Sequence, residues 1–85
     1  MKRRAQWRPV LDAEVRKWSA KSWAELVAEL PDEQAYEVES EGKTYQVEVQ
    51  LLENTERYVR VAVCVDDGSF PASFRPLSSS FILEK

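Results

Sequence analysis

From residue 35 onward, apolar and polar residues alternate along the chain, and a period of two is typical of β-strands that bury one face. After residue 57, valine occupies every second position from Val59 to Val65. Strands of this kind belong in an antiparallel sheet that is covered on one side and open on the other. The apolar positions are Tyr36, Val38, Tyr45, Val47, Val49, Leu51, Val59, Val61, Val63 and Val65.

The first two strands are predicted to form a hairpin around the Glu-Gly dipeptide at residues 41–42. A two-residue turn at this dipeptide places Val38 opposite Tyr45. The same register places Tyr36 opposite Val47. Both pairs join apolar side chains, so the turn and the alternation agree.

The second and third strands are predicted to be joined by a three-residue loop at residues 54–56. This loop places Leu51 opposite Val59 and, one pair further on, Val49 opposite Val61. Core positions again face core positions, so we expect the third strand to continue the meander.

The third strand is followed by Asp67-Gly68, a dipeptide that favours a tight hairpin turn. Pro71 cannot donate a backbone hydrogen bond, which predicts that the strand after this turn is an edge at that position or breaks there. Residues 78–85 are a candidate for a further short strand. The pairs predicted from the Asp-Gly turn are Val65 with Phe70, Val63 with Ala72, and Val61 with Phe74.

The first third of the chain has helical spacing instead. Asp12 is a candidate N-cap, and Ser22 with Glu25 forms an S-x-x-E capping box before a second helix. Pro31 ends this helix, because the residue before a proline is driven out of the helical region. The predicted segments are residues 12–18 and 23–30, or one bent helix.

Together these elements predict an α+β fold with two layers, in which the N-terminal helical segments pack on one face of a three- to four-stranded antiparallel meander sheet. The 85 residues, of which 44% are hydrophobic, are the size of a single domain. The predicted parts are a basic N-terminal arm at 1–9, a helical part at 12–30 and a β-meander at 35–84.

The chain contains no histidine and one cysteine, Cys64. It therefore lacks the side chain most used for acid–base catalysis and for binding transition metals. We predict a protein that is not an enzyme and that needs no cofactor or metal, with an enzyme built on carboxylates and Cys64 as a third and weaker interpretation. Asp66-Asp67-Gly68 is interpreted as turn chemistry rather than a calcium loop, and the serines at 78–80 as a solvated loop.

The formal net charge is −3, but the first eight residues contain four cations beside a tryptophan. Cations and an aromatic ring are the means by which single-stranded nucleic acid is bound. Because the rest of the chain is acidic, this weak nucleic-acid binding is the alternative hypothesis. Its residues are Lys2, Arg3, Arg4, Trp7 and Arg8.

The leading hypothesis is protein–protein contact through the open sheet face or the edge strand. That face is solvated or it is an interface for a partner or a second copy, and the sequence favours neither outcome. The N-terminus lacks an apolar run that would act as a signal or a membrane anchor, so we expect a cytoplasmic protein. The predicted partner-binding residues are Glu48, Gln50, Leu52, Tyr58 and Arg60.

Overall fold

The computed structural model describes residues 2–66 and 77–85, with side chains described from Trp7 onward. It has two N-terminal helices packed against a four-stranded open antiparallel sheet, so the predicted α+β class is confirmed. The strands follow one another in the order β1-β2-β3-β4. The elements are α1 (Lys2–Ser19), α2 (Trp23–Glu29), β1 (Gln34–Ser40), β2 (Lys43–Asn54), β3 (Tyr58–Asp66) and β4 (Leu77–Glu84).

Helix α1 begins at Lys2, ten residues before the predicted start at Asp12. The reason is tertiary packing, because Trp7 and Leu11 are completely buried and extend the apolar stripe of the helix towards its N-terminus. The predicted basic arm is therefore the first part of α1.

Helix α2 follows its prediction closely. The Ser22 side chain accepts a hydrogen bond from the amide of Glu25 at 3.2 Å, and the Glu25 carboxylate accepts one from the amide of Ser22 at 2.9 Å. These two bonds form the capping box, and the hydrogen bonds that Ser22 gives the Glu25 carboxylate, first that of its backbone amide, lower the pKa of Glu25. The helix ends at Glu29, with Leu30 as its C-cap immediately before Pro31.

The register of β1 and β2 is the predicted one, with Val38 opposite Tyr45 and Tyr36 opposite Val47. Both turn residues have positive φ, 52° at Glu41 and 81° at Gly42. Two consecutive left-handed residues are the requirement of a type I′ turn, whose twist matches that of the strands it joins.

The register of β2 and β3 differs from its prediction by two residues. Leu51 lies opposite Val61 instead of Val59, and the pairing shifts between Leu51 and Glu53. Two features produce this register: the connection is longer than predicted, with Asn54 opposite Val59, and a β-bulge at Leu52 gives β2 one residue more than β3. Because a slip of two residues keeps the same side chains on the same face, the valines remain inward.

The strand beside β3 is β4, which corrects the predicted pairing after Asp67-Gly68. The predicted partners Phe70, Ala72 and Phe74, together with Pro71, lie outside the described residues. The two neighbours of β3 are β2 and β4, so its valines have partners other than the predicted ones. The observed pairs are Val65 with Leu77, Val63 with Ser79, Val61 with Phe81, and Val59 with Leu83.

The core lies between the helices and the inner face of the sheet. Its centre is the run of four fully buried valines on β3, against which both helices pack. The other buried hydrophobic residues are Trp7, Val10, Leu11, Trp18, Leu26, Leu30, Tyr45, Val47 and Val49.

Replacement of Trp7 by alanine tests whether the start of α1 belongs to the core. We expect Trp7→Ala to lower the free energy of unfolding by about 3–5 kcal/mol, because it removes a fully buried indole. Urea unfolding followed by circular dichroism measures the loss. The matched control is Trp23→Ala, since Trp23 is 40% exposed and should lose far less. Equal losses would contradict a buried role for Trp7.

Candidate functional site

The helices cover one face of the sheet, which leaves the opposite, outer face as the candidate surface. The alternation of buried and partly exposed residues along β3 shows that its non-valine side chains point to this outer face. The residues paired across the strands on this face are Ala35, Glu37, Glu39, Thr44, Gln46, Glu48, Gln50, Glu53, Tyr58, Arg60, Ala62, Cys64, Asp66, Ser78, Ser80, Ile82 and Glu84.

One end of the outer face combines exposed apolar side chains with tyrosine and arginine. Strand pairing aligns Glu53, Arg60 and Ile82 in one row across β2, β3 and β4. Leu52, in the β-bulge, and Ile82 are each 49% exposed. We call the five residues Leu52, Glu53, Tyr58, Arg60 and Ile82 the Tyr58 surface.

The polar groups of the Tyr58 surface are bonded to one another. The Arg60 Nε donates to the Glu53 Oε1 at 2.6 Å, and the Tyr58 hydroxyl donates to the same oxygen at 3.4 Å. The hydrogen bond from Arg60 lowers the pKa of Glu53, and the same bond raises the pKa of Arg60. Glu53 and Arg60 are therefore both charged at neutral pH, and Glu53 accepts a hydrogen bond from each of the other two side chains.

A shallow cavity of about 590 Å³ adjoins this surface. Tyr58 and Ile82 line it, together with charged residues of both signs. A concave surface that combines apolar and charged groups is suited to receive a side chain from another molecule. The charged lining residues are Glu56, Arg57, Glu84 and Lys85.

Three of the five predicted partner-binding residues, Leu52, Tyr58 and Arg60, lie together on the Tyr58 surface. The other two lie further along the outer face, Gln50 opposite Ala62 and Glu48 opposite Cys64. The register predicted from a three-residue loop would also pair Leu52 with Tyr58 and Gln50 with Arg60. This is wrong, because Glu53 is the partner of Arg60 and Leu52 lies at the register shift.

Sequence reasoning missed Glu53 and Ile82 as members of this surface. The signal for Ile82 was the alternation after Pro76, where Leu77, Ser79, Phe81 and Leu83 point inward. Once these residues form a strand beside β3, Ile82 must point outward next to Arg60.

The opposite end of the outer face is acidic around Cys64. Burial raises the pKa of this thiol, and the nearby carboxylates of Glu48, Glu33 and Asp66 raise it further. The charges that act on the thiol are thus negative, and Arg60 on the same strand is not among them. Burial, and then the charge of Glu33, also raises the pKa of Glu48. Within residues 2–66 and 77–85, no group of three or more carboxylate and thiol side chains is placed to hold a metal ion.

A polar cluster joins α1 to β1 on the inner face. The Tyr36 hydroxyl donates a short hydrogen bond to the carboxylate of Glu14, which is buried, and accepts one from Trp18 Nε1 at 2.8 Å. Lys17 Nζ lies 4.9 Å from the centre of the Tyr36 ring and 3.9 Å from the Glu14 carboxylate. The sequence signal was a carboxylate at a helical position where the spacing of Leu11 and Trp18 calls for an apolar residue.

Next to this cluster is a cavity of about 320 Å³ with two lysines in its wall. Lys21 pairs with Glu29 at 3.3 Å, and Lys17 pairs with Glu14. The positive charges are thus balanced by carboxylates of the same chain, which gives an anionic ligand little advantage there. The lining residues are Lys17, Trp18, Lys21, Glu29, Gln34 and Tyr36.

The residues of the nucleic-acid hypothesis lie on the first turns of α1. Trp7 has no exposed surface, so a base could stack on its indole only if the core opened. Arg8 pairs with Asp12 one helical turn away, at 3.5 Å. Lys2, Arg3 and Arg4 are placed in the helix by their backbone.

Two further motifs were candidates for chemistry. Asp67 and Gly68 lie outside the described residues. The serines at 78–80 form part of strand β4 rather than a loop, with Ser78 opposite Cys64 and Ser80 opposite Ala62. Their position in β4 gives them a role in strand pairing.

Comparison of the chain with protein-family models, with curated proteins and with solved structures found no match. In the described part of the chain, neither helix has the combination of length and hydropathy needed to cross a bilayer. The assignment of a function therefore depends on the chemistry of the surfaces described above.

The bond between Tyr36 and Glu14 makes stability sensitive to alkaline pH. Burial, and then the Glu14 hydrogen bond, raises the pKa of Tyr36 from 10.0 to about 12. Because the folded state holds this proton more tightly, its contribution is complete below pH 10.0 and is lost as the pH rises towards 12. We expect Tyr36→Phe to be less stable than the natural protein at neutral pH by about 1–3 kcal/mol, since Glu14 loses its donor.

The variant should also lose less additional stability than the natural protein between about pH 9 and about pH 11.5. Urea unfolding at several pH values measures both effects, and Tyr58→Phe is the control for tyrosine titration elsewhere. Parallel pH profiles for Tyr36→Phe and the natural protein would show that Tyr36 has an ordinary pKa.

The raised pKa of Cys64 predicts slow alkylation. We expect Glu48→Gln to increase the rate of reaction with iodoacetamide at neutral pH by about two- to threefold, because it removes a negative charge that opposes the thiolate. Glu37→Gln, on the same face but not among the charges that act on the thiol, should leave the rate unchanged. Mass spectrometry of timed samples gives the rates, and equal rates in both variants would disprove the assigned electrostatic cause.

Proposed function

We propose that this protein is a small non-enzymatic binding module that acts through protein–protein contact, with the Tyr58 surface as its contact area. The observation that carries the proposal is a pair of half-exposed aliphatic side chains, Leu52 and Ile82, beside a hydrogen-bonded group. In that group, Tyr58 and Arg60 both donate to Glu53. Tyrosine and arginine are enriched where protein interfaces concentrate their binding energy.

The shape and charge of this surface suit a protein partner of mixed polarity. A partner would place one aliphatic or aromatic side chain in the cavity that Tyr58 and Ile82 line. Around that contact, Arg57 and Lys85 offer positive charge while Glu56 and Glu84 offer negative charge. Such a mixture of charges favours a partner with both signs of charge over a uniformly acidic or basic polymer.

The internal bonds of the Tyr58 surface favour binding further. Arg60 and Tyr58 are already oriented on Glu53 at 2.6 Å and 3.4 Å. Side chains that are ordered before association lose less conformational entropy when the partner arrives. The site would therefore gain affinity from preorganisation.

The chemistry of the chain supports binding rather than catalysis. There is no histidine, and the thiol of Cys64 has a raised pKa that keeps it in the less reactive protonated form. A cytoplasmic location is part of the proposal, because a single free cysteine is suited to a reducing compartment.

The test is affinity capture from a native lysate with the natural protein and with Tyr58→Ala, Arg60→Glu and Ile82→Asp as baits. We expect a partner whose recovery falls by about tenfold or more in these variants, because loss of an interface anchor has an effect of this size. The partner is then purified, and its dissociation constant for each variant is measured by calorimetry.

The matched control is Thr44→Ala, an exposed residue at the far end of the same outer face. It should bind like the natural protein. Circular dichroism confirms that each bait is folded. Recovery of every partner in equal amounts by all baits would dismiss the Tyr58 surface as the binding site.

A further inference from the structure

We propose that two copies of this chain pair through the outer edge of β4, in antiparallel orientation, to form one continuous eight-stranded sheet. This inference is independent of the partner proposed for the Tyr58 surface. Its starting point is that β1 and β4 are the two edge strands of the described sheet, and that they differ in how well they are protected.

Edge strands usually carry charges, prolines or bulges that discourage pairing with other chains. Strand β1 follows this rule, because Glu37 and Glu39 are exposed carboxylates within it. Strand β4 has no charged residue and no proline from Leu77 to Leu83, and its pairing with β3 continues without a register shift from Leu77 to Glu84. Among the residues that the structure describes, β4 is therefore a regular edge without these protecting features.

A second copy of the chain fits this edge because the strand is complementary to itself. With Phe81 on the two-fold axis, the inward side chains Ser79 and Leu83 of opposite copies face each other. On the outer side, Ser78 faces Glu84 of the second copy, and Ser80 faces Ile82. No like charges meet in this register, and an aromatic pair lies at its centre.

Pairing of this kind also ends at two copies. Each copy uses its unprotected edge once, and the two ends of the new sheet are both β1, with its carboxylates at Glu37 and Glu39. Two-fold pairing therefore stops at the dimer instead of continuing into a fibre. In the dimer the two Ile82 side chains become diagonal neighbours on the outer face, so the two Tyr58 surfaces meet at the junction.

The proposed register is tested by placing a charge of either sign at residue 78. We expect Ser78→Lys, which would face Glu84 of the second copy, to strengthen dimerisation by about three- to tenfold. Ser78→Glu should weaken it by a similar factor, and Ser78→Glu with Glu84→Lys should restore it. Ser78 is exposed and lies outside the Tyr58 surface, so the single variants at residue 78 leave the proposed partner contact unaltered.

Sedimentation velocity over a concentration series gives the association constants, starting from a monomer of 9.8 kDa. Hydrogen exchange at low and high protein concentration locates the interface, and added protection should fall on amides of β4 and not on those of β1. A monomer at every concentration up to about millimolar, where even a weak dimer would form, would overturn the inference. The inference would equally be overturned by a dimer whose association constant does not change with the charge at residue 78. Added protection on the amides of β1 would overturn it as well.

Discussion

Burial of the four valines of β3 is the interaction on which the rest of the structure depends. Val59, Val61, Val63 and Val65 have no exposed surface, and complete burial of such a side chain contributes about 1.5–3 kcal/mol. The strand that carries them has a neighbouring strand on each edge, and both helices pack against it. The order of the strands and the placement of the helices thus act together to remove the methyl groups of these valines from water.

The same burial divides the sheet into a face whose residues stabilise the fold and a face whose residues are free to bind. The two helices cover only the valine side of the sheet, so the side chains between the valines remain on an open face. That face is uneven, acidic around Cys64 at one end and aliphatic with tyrosine and arginine at the other. Residues of the open face can therefore be substituted to suit a partner without loss of core packing. The fold alone does not determine what is bound.

Sequence reasoning succeeded where short-range rules decide the outcome. The capping box of α2 and the hairpin at residues 41–42 need only neighbouring residues, and both were predicted with the correct partners. It failed where distant contacts decide. The bulge at Leu52 and the choice of residues 77–84 as the partner of β3 depend on packing across the sheet, which a periodic pattern does not encode. As a result, Tyr58, Arg60 and Leu52 were found as surface residues while Ile82, brought in by β4, was not.

The packing of α1 against β4 has a consequence for synthesis of the protein. These elements are the first and the last of the described fold, and they are in direct contact. On the ribosome, the hairpin of β1 and β2 can form early from local contacts, but α1 lacks part of its packing surface until β4 has emerged. During that interval the indole of Trp7 and the valines of β3 remain open to other molecules. Chaperone engagement with the nascent chain is therefore expected to end only after β4 has emerged and packed against α1.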